Sequence, residues 1–164
     1  MRATFLFVLI LTLIPISISS HACDAEELKS ISLDDATKIG LRIEMDKNVK
    51  VEGKSSVKIT TLWPTTICLG EVDGLDIENA RLVYSARVKT DLQGTAMLEM
   101  WAHVGGSQYF SRNPKQAVKN QSNWKKVETP FMFQKGQKPE KVTLNLIIAG
   151  KGTVWIDDVK LSKE

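Results

Sequence analysis

Few side chains in this sequence are of the kinds that carry out reactions. His103 is the only histidine beyond the first two dozen residues, and no Gly-x-Ser-x-Gly, His-Glu-x-x-His or phosphate-loop pattern occurs. A hydrolytic triad or a catalytic zinc site therefore lacks its parts. Two carboxylates suffice for a glycosidase, and Glu99 with Asp91, or Glu128, are available, yet no spacing singles them out. The chemistry on offer is that of recognition, and the expectation is a protein that is not an enzyme. Trp101 stands between Glu99 and His103 at alternate positions. An indole is a flat apolar platform that fits the C–H face of a sugar ring, and Arg, Glu, His and Asn give directional hydrogen bonds to hydroxyls.

The residues around Trp101 alternate between apolar and polar, so a strand must position it. Because side chains on a strand point to opposite faces in turn, Leu82, Tyr84, Ala86 and Val88 share one side of the 80–90 segment, and Arg87 falls on the other. Ala96, Leu98, Met100, Ala102 and Val104 likewise oppose Glu99, Trp101 and His103, while Val142, Leu144, Leu146 and Ile148 oppose Asn145. The apolar sets predict the core. The other sets predict one outward sheet face carrying Arg87, Glu99, Trp101, His103 and Asn145, with Tyr109 and Phe110 closing over it from the segment 107–123. That segment has no regular period and is long for a connection, so it reads as a functional loop. A half-exposed antiparallel sheet shows mixed polar residues on its wet side in any case, which leaves an ordinary solvated face as the other reading.

Along the chain no window carries a convincing helical stripe, whereas short alternating runs are divided by turn dipeptides with glycine. Strands are expected at 41–45, 56–61, 67–72, 80–90, 96–104, 125–133, 141–149 and 153–161, with breaks that include Gln93-Gly94 and Gly150-Lys151-Gly152. The expected fold is all-β, an antiparallel sandwich of two sheets over residues 40–164, preceded by a polar leader at 23–39.

The apolar run Phe5 to Ile14, with Arg2 before it and Pro15 and small polar residues after it, has the build of a secretory signal ending at Ala22. It is too short to span a bilayer, so no transmembrane segment is expected after signal removal. The destination is outside the cytoplasm: secreted, periplasmic or extracellular. The mature chain, about 140 residues, is one domain's worth of sequence and can bury a core without staples. Its charges are nearly balanced and interspersed, without the clustered basic face that nucleic-acid binding requires. Cys23 and Cys68 are the two cysteines. An oxidising compartment permits a Cys23–Cys68 disulfide. A lipid anchor on Cys23 or a free thiol are the alternatives, lipidation being disfavoured by His21 just ahead of it. Asn120-Gln121-Ser122 is a glycosylation sequon that matters only in a eukaryotic secretory pathway.

The run Gly152-Thr153-Val154-Trp155-Ile156-Asp157-Asp158-Val159-Lys160-Leu161 resembles the closing strand of galactose-binding-like jelly-roll domains, the fold of carbohydrate-binding modules of the CenC type. Segments 53–59, 82–90 and 124–127 resemble that family's early strand, central strand and the strand after the binding loop, in the same order. The resemblance implies a jelly roll that binds poly- or oligosaccharide on a sheet face and often holds one structural calcium ion. On this chain that ion falls to Asp157 or Asp158, with Glu44 and Asp46 as further candidates; hard oxygen ligands suit Ca²⁺, but two carboxylates are far fewer than the usual six to eight ligands. Such modules normally accompany a catalytic domain, and the same sandwich also serves protein contacts and architecture. Two functions are therefore carried forward: an exported carbohydrate-binding module, and a structural or protein-interaction domain of a secreted or envelope assembly.

Overall fold

In the computed structural model, residues 26–31 and 43–164 are described. The segments expected to hold the signal peptide, Cys23 and most of the leader lie outside them. The elements are β1 (Glu26–Ile31), β2 (Ile43–Asp46), β3 (Ser56–Thr61), β4 (Thr65–Asp73), β5 (Arg81–Val104), β6 (Ser107–Arg112), a 3₁₀ turn (Pro114–Gln116), β7 (Val118–Met132) and β8 (Lys141–Lys163). All pairings are antiparallel. No helix among the described residues is long and apolar enough to cross a membrane.

The frame is a ribbon of two long strands. β5 and β8 pair from Leu82 against Lys163 to His103 against Lys141, with Gly94 opposite Gly150 at the middle. The backbones press together there. A Cβ on Gly94 would lie 2.1 Å from the Ala149 carbonyl oxygen, and one on Gly150 would lie 2.2 Å from that of Gln93, with φ of +147° and +154°. Only glycine fits such an approach at such angles. Here the expectation of turns at 93–94 and 150–152 is corrected: both stretches are creases inside continuous strands, so four expected strands become two.

On one side of the crease the ribbon is flanked by β4 and β6. On the other it is flanked by β1 and β3 next to β8, with β2 beyond β3, and by β7 next to β5. The inward side chains of both halves form one core: Leu82, Tyr84, Met100, Ala102, Leu144, Leu146, Val154 and Ile156 have no exposed surface. A sheet face can be sealed so completely only by a second layer, and with no α-helix among the described residues each half supplies the other's cover. The result is the expected two-sheet sandwich.

Inward parity holds from Val142 to Ile156 and then shifts, so that Val159 and Leu161 face the core. The cause is a bulge at Asp158, whose φ is +50° and where the register slips between Ser85 and Arg87. Two other expectations change. The 107–123 segment is not a loop: it holds β6, the 3₁₀ turn and the start of β7. The leader is not wholly outside the fold, since Glu26–Ile31 pairs with the end of β8.

Candidate functional site

Where β6, β5, β8 and β4 lie side by side, their outward residues form a grid set by register. One row runs Arg112, Glu99, Asn145, Cys68; the next Phe110, Trp101, Thr143, Glu71; the third Gln108, His103, Lys141, Asp73. Strands are spaced about 4.8 Å apart, so each row crosses roughly 15 Å of sheet, a length that accommodates about three sugar rings.

The centre is aromatic. Trp101 is half-buried, and its ring centroid lies 5.3 Å from that of exposed Phe110 with planes tilted by 38°. The Arg112 guanidinium lies 5.1 Å from the Phe110 centroid, a cation–π contact that helps hold the ring. Beside this platform Glu99 is 3% exposed. Nε of Arg112 donates to its Oε2, Nη2 lies 2.5 Å from the same oxygen, and Nδ2 of Asn145 donates to its Oε1 at 3.2 Å. A carboxylate buried on a sheet surface is tolerated because both oxygens are paired, and the pairing locks Glu99, Arg112 and Asn145 as a unit. In the next row the Lys141 ammonium, 3.1 Å from Glu71, holds that carboxyl below the usual carboxylate range, with a weaker contribution from the Thr143 hydroxyl.

Glu99, Trp101, His103 and Asn145 thus meet on one face, as their alternation predicts, and Phe110 joins them from β6 rather than from a loop. Arg87 and Tyr109 do not join them. Arg87 precedes the Gly94 crease and lies on the opposite sheet, opposite Lys126 and Asp157 in register, with Nε 4.0 Å from Asp158. Tyr109 pairs with inward-facing Ala102, so it projects from the other side of β6 and its ring sits 6.3 Å from that of Phe131. Arg112, Thr143, Glu71 and Lys141 join the face although alternation does not single them out as site residues. A signal for Arg112 existed: Gly105-Gly106 at the end of the alternating run 96–104 suits a two-residue hairpin turn, with φ of +55° and +76°, and it sets Ser107 opposite Val104 and Arg112 opposite Glu99.

Cys68 sits at the end of the first row with much of its surface exposed, and partial desolvation of the thiol is the main cause that raises its pKa above the usual value. Its expected partner Cys23 lies outside the described residues.

The calcium ion implied by the resemblance can be tested against the side chains present. Asp157 is 5% exposed. Its Oδ2 accepts the amides of Val51 at 2.6 Å and Glu52 at 3.2 Å, and its Oδ1 accepts the amide of Asp158 at 2.8 Å. Asp46 is engaged in the same way, Oδ1 by the amides of Asn48 and Val49 and Oδ2 by the Trp155 indole, the last being the main reason its carboxyl titrates low. The N–H donors thus satisfy these carboxylates without a cation, and two carboxylates fall well short of the six to eight oxygen ligands of Ca²⁺. Asp157 instead ties the 47–55 loop to β8. Asp158 faces Lys160 Nζ at 3.0 Å, and among the described residues no three His, Cys, Asp or Glu converge on a metal position. Glu44 pairs with Lys58 at 3.2 Å.

No protein-family profile matches this chain, and no curated protein matches it. Solved structures do. The N-terminal tandem of family 22 carbohydrate-binding modules from Paenibacillus barcinonensis Xyn10C matches with a TM-score of 0.62 at 16% identity, over 88% of this chain and 47% of that one. The C-terminal family 22 carbohydrate-binding module of Clostridium thermocellum Xyn10B matches with a TM-score of 0.56 at 8% identity, over 83% and 93% of the two chains. A cyclase from Fischerella sp. TAU matches with a TM-score of 0.56 at 14% identity, over 77% of this chain and 73% of that one. The chain has the β-sandwich fold of carbohydrate-binding modules, a fold that is also found in a cyclase.

Proposed function

We propose that this protein is an exported, non-catalytic carbohydrate-binding module that holds a glycan strand across the Trp101 face. The observation that carries the reading is the grid itself: an aromatic pair, Trp101 and Phe110, flanked by a locked Glu99–Arg112–Asn145 unit and by His103, Thr143 and Lys141. Ring faces stack on the indole while hydroxyls meet the polar rows. The structural neighbours include xylan-binding domains, which makes a β-linked xylan or glucan chain the first ligand to try. Export rests on the signal-like segment before Cys23, and with it the oxidising surroundings in which Cys23 and Cys68 can pair.

Affinity electrophoresis through gels of soluble xylan, β-glucan and mannan tests the reading. Retardation by at least one polysaccharide is expected, and Trp101→Ala should weaken it by about 2 kcal/mol, roughly thirtyfold, the loss typical of a central aromatic anchor. Migration unaffected by every polysaccharide would leave the structural or protein-interaction role, for which crosslinking should then recover a partner.

A further inference from the structure

The ribbon that carries Trp101 outward on one sheet carries a second tryptophan outward on the other. Trp155 lies on β8 beyond the crease, opposite Lys89 of β5 and Lys58 of β3. Its indole N–H donates to Asp46 Oδ2 at 2.9 Å, which fixes the ring. Beside it opens a hollow of about 460 Å³ lined by Trp155, Lys89, Asp91, Gln121 and Asn123, within the range of small-ligand sites. A second hollow of about 340 Å³ continues on the far side of Asp91, reaching Thr60 and Leu62 at the crease. Together they make a groove across the outer face of the second sheet.

We infer that this groove is a second glycan-binding site, so that the module grips two strands, one on each outer face. The inference rests on the reading of the chain as a carbohydrate-binding module, and its chemistry is local. Trp155 supplies a rigid platform, and Gln121 and Asn123 supply amides that both donate and accept, as sugar hydroxyls require. Lys89 and Asp91, two apart on β5 and opposite in charge, offset each other, and Lys151 in the second hollow leaves one positive charge over; the Asp91 carboxylate shared by both hollows repels a phosphate or sulfate, so a neutral hydroxyl-rich ligand suits the groove better than a polyanion. The Lys89 ammonium lies 5.6 Å from the Trp155 centroid. An incoming sugar ring takes over that face, and the long lysine side chain swings to donate to the ring's hydroxyls.

Xylohexaose and cellohexaose are the probes, followed by calorimetry and by the indole N–H resonances of Trp101 and Trp155. With whichever oligosaccharide binds, the expected result is two molecules per chain, with both resonances moving. Trp155→Ala should lower the count to one and leave the Trp101 resonance responsive. Because that substitution also removes the bond to Asp46, the exposed pair Asp91→Ala with Gln121→Ala serves as a second variant. It should weaken the Trp155 response about tenfold, the equivalent of losing roughly one hydrogen bond. One molecule per chain with only Trp101 responding overturns the second site and leaves the proposed function intact. A response from Trp155 alone upholds the groove and overturns the Trp101 face. Silence from both indoles with both probes overturns the second site, and if mannan also fails to retard the protein it overturns the Trp101 face as well.

Discussion

At the scale of single residues, the polar side chains divide into those locked to the backbone and those left facing outward. Asp157 belongs to the first kind, and its neighbour Glu52 shows the cost of crowding carboxylates. Glu52 is pushed above the usual carboxylate range, first by partial desolvation and then by the Asp158 carboxylate beside it. A carboxyl whose folded pKa is raised binds its proton more tightly folded than unfolded. Its ionisation therefore destabilises the fold at neutral pH, and stability returns as pH falls through the raised value. Glu52→Gln should accordingly raise the melting temperature at pH 7, and the advantage should vanish in acid, below the ordinary glutamate pKa. Thermal denaturation of both proteins across that pH range checks the sign.

At the scale of elements, the creased ribbon makes the site possible. If the Gln93-Gly94 and Gly150-Lys151-Gly152 stretches were turns, β5 and β8 would each break in two and the register across the crease would be free to slip. Because they are close approaches inside paired strands, Glu99 is tied to Asn145 and Trp101 to Thr143 by the same ladder that ties Lys89 to Trp155. A side chain at Gly94 or Gly150 must push a carbonyl oxygen aside. Gly94→Ala and Gly150→Ala should each cost about 2–4 kcal/mol, within the range for strained backbone positions plus a steric clash, whereas Gly74→Ala, with open space around its Cβ position, should cost about 1 kcal/mol for its positive φ alone. Urea denaturation of the three variants distinguishes these values.

At the scale of the whole molecule, both candidate faces carry mixed charges, and the formal net charge is only +3 before any signal is removed. Such a protein has little long-range field with which to gather a charged polymer. Binding to a neutral polysaccharide should therefore change less than about twofold between 50 and 500 mM NaCl, whereas phosphate-backbone recognition would fall by orders of magnitude over the same range. Affinity electrophoresis or calorimetry at the two salt concentrations makes the comparison.

Alternation alone identified the all-β class, the inward set from Leu82 to Val88 and from Ala96 to Ala102, and the company of Glu99, Trp101, His103 and Asn145. The reason is that period 2 is a local property of extended backbone, true of any strand before its neighbours are known. Where a strand ends is not local in that sense. Glycine at 94, 150 and 152 is compatible with a turn or with a close approach, and only the partner backbone, more than fifty residues away along the chain, decides between them. That decision sent Arg87 to the opposite sheet from Trp101, and the hairpin pairing of β6 turned Tyr109 away while bringing in Arg112. The surroundings of Asp157 are also tertiary: the family resemblance implies a metal ligand there, and the amides of Val51 and Glu52, brought in from a distant loop, both donate to its Oδ2.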